Sequence, residues 1–312
     1  MSAQIQPSLR RVLSDTARII SSNSLHFTTL SLLLIFPIPL FNIIHTLLQD
    51  PSPSPSPSPF NSSQYQYGQL PSLNKSQLLY FLLFLIFNLF SISSVTHSTF
   101  HAFHRNPIKI SSSLKSILST FLPLLATKLA YFVIIVAISI AFGFCIGVVY
   151  FGMNTLLGLE MGPTTKPFII FMAVAMILFV VLYVYLWVEW CLMDAVVVVE
   201  SKYGFAALKR SSTLVKGMRR VAFVIIALPA VMQGIISWRF SALGGVALQM
   251  VDYAVLSTAL TLFGLAANTV LLIHCQAVNG ELEKLERFPS DEKKLSLSQI
   301  YVQLPRAVVD HV

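Results

Sequence analysis

The sequence predicts an all-α integral membrane protein of six transmembrane helices with cytoplasmic amphipathic helices between them, and three observations lead there. Hydrophobic residues make up 55% of the 312-residue chain and charged residues 11%, against roughly 45–50% and about 25% in a soluble domain. Six apolar runs, at about 27–48, 78–96, 122–151, 168–190, 221–238 and 254–276, come close to the roughly 20 helical residues that a hydrocarbon core of about 30 Å requires. Of the 21 Lys and Arg, seventeen fall in segments on one side of the six crossings. Only Lys75, Lys166 and Arg239 fall on the other side, and Lys128 lies inside a run. Basic residues resist translocation, so the first side is cytoplasmic and carries both termini. The net charge of +8 is then a topology signal that also attracts anionic lipid head groups, and it does not require a nucleic-acid partner.

The leader, residues 1–26, spaces Leu9, Val12, Leu13, Ile19 and Ile20 along one helical face opposite Arg10, Arg11 and Arg18, the pattern of a helix lying in the membrane interface. The first run is too long for a signal-peptide core and is expected to stay as an anchor. An Arg-bearing, Ser-rich leader also describes an organellar transit peptide, so both readings stand. After it, the Ser-Pro alternation of residues 50–60 predicts an extended polyproline II linker in the first non-cytoplasmic loop. Asn61 and, closer to the second run, Asn74 open glycosylation sequons there.

At the cytoplasmic end of the second run His97, His101 and His104 share one helical face. Adjacent pairs have the spacing of a weak metal site, but no Cys or carboxylate cluster lies nearby in sequence, and solvated interfacial histidines are the preferred reading. Ile110, Leu114, Ile117 and Leu118 predict a second interfacial helix before the third run. Gly143 and Gly147 within that run offer a small-residue face for close helix approach, as Gly264 does in the sixth.

The fourth apolar stretch continues from Phe168 to Val199, about 48 Å if it is one helix. It carries Glu189 and Asp194, for which Lys128 is the expected partner. Intramembrane charges are costly and mark either ion paths or packing determinants, and interfacial snorkelling is preferred here. A third amphipathic segment, with Phe205, Leu208, Val215 and Met218 opposite Lys202, Lys209 and Lys216, precedes the fifth run. The order of amphipathic helix and hairpin therefore recurs three times, which suggests three repeated units. Pro37, Pro39 and Pro229 predict kinks. The three cysteines, Cys145, Cys191 and Cys275, predict no disulfide, and Cys191 and Cys275 are placed for palmitoylation near the cytoplasmic face. The tail, 277–312, begins as a charged helix and ends with Tyr301-Val302-Gln303-Leu304, which has the form of a tyrosine-based sorting motif for trafficking adaptors.

Glu200-x3-Gly204-x2-Ala207-Leu208-x2-Ser211-x2-Leu214-x2-Gly217, following a Trp-rich span, resembles the signature of a plant family of uncharacterised six-span membrane proteins, loosely labelled polyadenylate-binding-protein-binding. More distantly the chain is similar to the membrane domain of bacterial glycerophosphodiester phosphodiesterases. It lacks their soluble domain and metal-binding carboxylates, so the resemblance does not imply that activity. Read physically, Glu200 suits a helix N-terminus, Gly204 a bend, and Gly217 a helix end.

No phosphate-cradling Gly loop, zinc motif or nucleophile elbow occurs. The expectation is a non-enzymatic multi-pass protein without cofactor that organises an endomembrane or assists protein or lipid traffic. The alternative is a small-solute or ion transporter or channel, with Lys128, Glu189, Asn88, Asn268 and His274 converging on one path. Endomembrane or plasma membrane is the expected location.

Overall fold

The computed structural model describes residues 9–49, 75–104, 110–156, 165–242 and 247–286. The Ser-Pro linker, Asn61, Asn74, Tyr301 and Leu304 lie outside them. Every regular element among the described residues is helical: α1 (Leu9–Ser22), α2 (Ser24–Leu30), a π-helical turn (Ser31–Ile35), α3 (Pro37–Gln49), α4 (Lys75–Phe103), α5 (Ile110–Leu156), α6 (Lys166–Glu189), α7 (Met193–Glu200), α8 (Phe205–Val215), α9 (Arg219–Ala242) and α10 (Ala247–Glu286). Among the described residues six stretches are long and apolar enough to cross a membrane: Ser24–Ile44, Leu78–Phe103, Ser119–Thr155, Lys166–Glu200, Arg219–Phe240 and Met250–Gly280. The chain has the architecture of an integral multi-pass membrane protein.

The prolines act as their chemistry requires. Pro37 and Pro39 have no N–H to donate, and the first span widens just before them, where Phe36 N–H donates to Ser31 O at 2.8 Å. The carbonyl of Leu34, five residues before Pro39, accepts instead from Ser91 Oγ of α4 at 2.9 Å. A side chain from a neighbouring span thus satisfies backbone that lipid could not.

Packing is concentrated at one end of the bundle. The main core gathers Val12 and Ile19 of α1, Phe27, Val95, Leu124, then Leu192 to Val197, Leu214 to Ile225, and Val270 to Cys275. Beyond it the distal halves of α5 and α6 diverge from the rest, touching each other through Phe142–Phe179 and Tyr150–Phe168 ring contacts. Their other faces present Phe132, Ile140, Phe144, Ile170, Ile177 and Val181 outward, an apolar surface that only a hydrocarbon solvent accommodates without loss.

Four expectations change. The leader helix does not lie free in the interface. Val12, Thr16 and Ile19 are buried against the core, in contact with α10 and α4, because a protein groove offers the same apolar surface as lipid plus fixed polar partners. The segment before the third run is not a separate helix, since α5 runs unbroken from Ile110 to Leu156, about 70 Å at 1.5 Å per residue. Discrete amphipathic helices therefore precede the first and fifth spans alone among the described residues, and α8 too buries Leu208, Leu214 and Val215 in protein. Finally, Gly143 and Gly147 meet nothing within 4 Å of where a Cβ would stand, whereas Gly264 does meet a neighbouring helix, facing Pro229 of α9 at 3.6 Å.

Candidate functional site

The basic end of the bundle is assembled around an interruption that its own sequence does not announce. α6 ends at Glu189 and α7 starts at Met193, although residues 187–193 contain neither Gly nor Pro. The intervening turn exposes backbone groups that a helix would pair. Ser211 of α8, fully buried, takes both: its Oγ donates to Glu189 O at 2.9 Å and accepts from Leu192 N–H at 3.2 Å. One hydroxyl from a later helix thus holds the ends of two earlier ones, and the predicted single 48 Å helix becomes two.

The Glu189 carboxylate is nearly buried, its side chain 6% exposed. Arg219 Nη2 stands 2.5 Å from Oε1, and Ser212 Oγ donates to Oε2 at 2.6 Å. The Arg219 guanidinium also lies over the Tyr185 ring, 5.7 Å from its centroid. Lys128 pairs with Asp194, Nζ to Oδ2 at 2.7 Å, so of the two carboxylates expected for it, it takes Asp194. Asp194 also stands in the first turn of α7, where the helix dipole favours a negative charge.

Glu200 does not start a helix. It ends α7, and its carboxylate accepts from Arg210 Nε at 3.0 and 3.2 Å, from Gln276 Nε2 at 2.9 Å, and pairs with Lys202 at 3.1 Å. An unfavourable dipole position is offset by three donors from α8, α10 and the connecting loop. Ser201 and Gly204 follow with positive φ, 55° and 64°, and Gly217 closes α8 at 95°. The bend and the stop expected of the two glycines are where the sequence put them. Gly204 N–H donates to Thr127 Oγ1 at 2.9 Å, and Asn279 Nδ2 donates to Leu214 O at 3.1 Å. Ala207 and Leu208 complete the buried face of α8.

The five polar residues expected to converge if the bundle carried a solute path take separate partners or stand apart. Lys128 pairs with Asp194, Glu189 with Arg219, and His274 with Asp15 at 3.2 Å, the contact that pins α1 to α10. Asn88 and Asn268 join none of these pairs. The rings of His97 and His101 lie tilted at 52° with centroids 4.3 Å apart, and the ring nitrogen Nδ1 of His104 lies 2.9 Å from Phe100 O. No group of three or more His, Cys, Asp or Glu able to hold a metal ion forms among the described residues. Cys275 is wholly buried with its Sγ 3.6 Å from Met218 Sδ, which removes it as an acylation site.

Between α6 and α9 a shallow groove of about 350 Å³ is lined by Val184, Tyr185, Val188, Phe223 and Val224, with Glu189, Arg219 and Arg220 at its basic end. Sequence reasoning found Lys128, Asp194, Glu189, Gly204 and Gly217. It assigned no partner to Arg219 and Arg210, and no role to Ser212, Thr127, Gln276, Asn279 or Asp15. The available signal was the burial of Ser211 on the apolar side of an amphipathic helix, where a hydroxyl needs a partner.

Residues 6–286 match the family model described as Domain of unknown function (DUF8558). The chain belongs to that family. The matched segment takes in α1 and all of α10, so the DUF8558 unit includes the leader helix and its Asp15–His274 clasp as well as the six spans. No curated protein and no solved structure matches the chain.

Proposed function

We propose that this DUF8558 protein is a non-catalytic multi-pass component that organises an endomembrane or assists protein or lipid traffic, with its termini and basic end in the cytosol. The observation that carries this reading is the disposal of its charges. Lys128, Glu189, Asp194, Glu200 and His274 are spent in separate joints that fasten helices to one another. A conduction path needs polar groups in series at binding strengths weak enough to release an ion. Clustering of the joints at one end of the bundle, with apolar α5 and α6 flanks facing outward, suits a rigid platform in lipid. The exposed basic residues Arg10, Arg11 and Arg18 of α1 and Lys209 and Lys216 in and beside α8 suit contact with anionic lipid head groups.

The test has two arms. Reconstituted in vesicles, the protein should carry no K⁺, Na⁺, Cl⁻ or H⁺ above protein-free controls, and loss of the protein in its own cells should change the lipid or cargo content of one membrane compartment. Flux abolished by Lys128→Met would establish the transporter instead, and unchanged compartments would refute the trafficking role.

A further inference from the structure

We infer that the groove between α6 and α9 holds one anionic glycerophospholipid, its phosphate on Arg220 and one acyl chain along Val184, Val188, Phe223 and Val224. The groove has the axial order of a phospholipid. Its cations sit at the start of a membrane span, Arg219–Phe240, and its apolar lining begins there and runs about one helical turn deeper, through Phe223 and Val224 on one wall and back from Val188 to Val184 on the other. Tyr185, Phe223 and Val224 are about half exposed or a little less, so the groove opens sideways onto the acyl phase.

The charges at its mouth do not balance. Glu189 takes Arg219, while Arg220 lines the same groove, is exposed, and has no acid paired with it among the described residues. One net positive charge therefore stands over an apolar slot, and a net anionic phosphate head group with an attached chain complements both. The Glu189 pair and the Tyr185 face together fix the Arg219 guanidinium, which gives the mouth a defined shape. A volume of about 350 Å³ is at the small end of the roughly 300–1,000 Å³ of small-molecule sites. It accommodates part of a lipid. The inference rests on the membrane setting and not on the trafficking role: vesicle flux would end that role and leave the lipid site standing.

Native mass spectrometry of the full chain in detergent tests it, with phosphatidic acid and phosphatidylcholine of matched chains added in turn. The wild type should retain phosphatidic acid about fivefold better, the ratio that corresponds to about 1 kcal/mol for one basic residue at the membrane surface. Arg220→Gln should erase that preference, and Val224→Trp, which fills the slot from a partly exposed position, should lower the adducts of both lipids. Val184→Trp serves if the first filling variant does not fold. Equal retention of both lipids by the wild type, a preference that survives Arg220→Gln, or filled-groove adducts at wild-type level would each overturn the inference. So would competition by glycerol 3-phosphate as strong as that by the lipid, since the chain would then contribute nothing.

Discussion

Replacing Ser211 by alanine removes about one hydroxyl of volume from a fully buried position and leaves two backbone groups without partners. Leu192 N–H and Glu189 C=O each lose the contact that Ser211 Oγ supplies at 3.2 and 2.9 Å. A buried donor or acceptor left unsatisfied costs about 1–3 kcal/mol, so Ser211→Ala should lose about 2–4 kcal/mol if the turn relaxes partly. At about 2–4 °C per kcal/mol for a large domain, the unfolding midpoint should fall by roughly 5–15 °C. Trp187 precedes the turn and Trp190 lies in it, two of the three tryptophans in the chain, so intrinsic fluorescence during thermal unfolding in detergent reads the affected region. Thr213→Ala is the control. Thr213 is exposed on the same helix and its hydroxyl bonds only the carbonyl of Lys209, so its midpoint should stay near wild type. Equal midpoints for the two variants would refute the assignment of Ser211 as the pin of the α6–α7 turn.

Gly204→Ala should destabilise by about 1–3 kcal/mol in the same assay, because φ of 64° with ψ of −138° is strained for any side chain while open space surrounds the site. Gly143→Ala, also in open space but within a regular helix, should be neutral or stabilising by up to about 1 kcal/mol. In a double-mutant cycle Lys128→Met and Asp194→Asn should show coupling of about 1–3 kcal/mol, and additive losses would mean that the 2.7 Å pair contributes nothing. Ser201→Gly should stabilise by about 0.5–1 kcal/mol by relieving the left-handed end of α7; a lower midpoint would contradict that. On the proposed orientation, with both termini cytosolic, the wild type should show a glycosidase-sensitive mass shift that Asn61→Gln abolishes, together with a C-terminus open to protease on intact vesicles; a protected C-terminus would reverse the orientation.

Much of the joint region was legible because single residues announced their backbone needs. Gly204 and Gly217 bound an amphipathic segment where only turns make sense, and Lys128, the one Lys or Arg inside an apolar run, had to find a carboxylate nearby. Glu200 misled, since its place in a motif before Gly204 looked like a helix start, and only the approach of Arg210 and Gln276 explains a carboxylate at a helix end. The leader misled in a different way. Its amphipathic spacing is equally satisfied by lipid or by protein, and the choice was made by α10, which presents His274 to Asp15 from 259 positions along the chain.

The sequence by itself determined the six stretches apolar and long enough to cross a membrane and the gathering of basic residues between alternate ones. Transfer into hydrocarbon is nearly a sum over neighbouring residues, so those features can be read locally. The tertiary structure decided which carboxylate meets which cation, where the fourth apolar stretch breaks, and what covers the leader. Ion pairing and hydrogen bonding act over a few ångströms between groups far apart in the chain, and no local sum contains those distances.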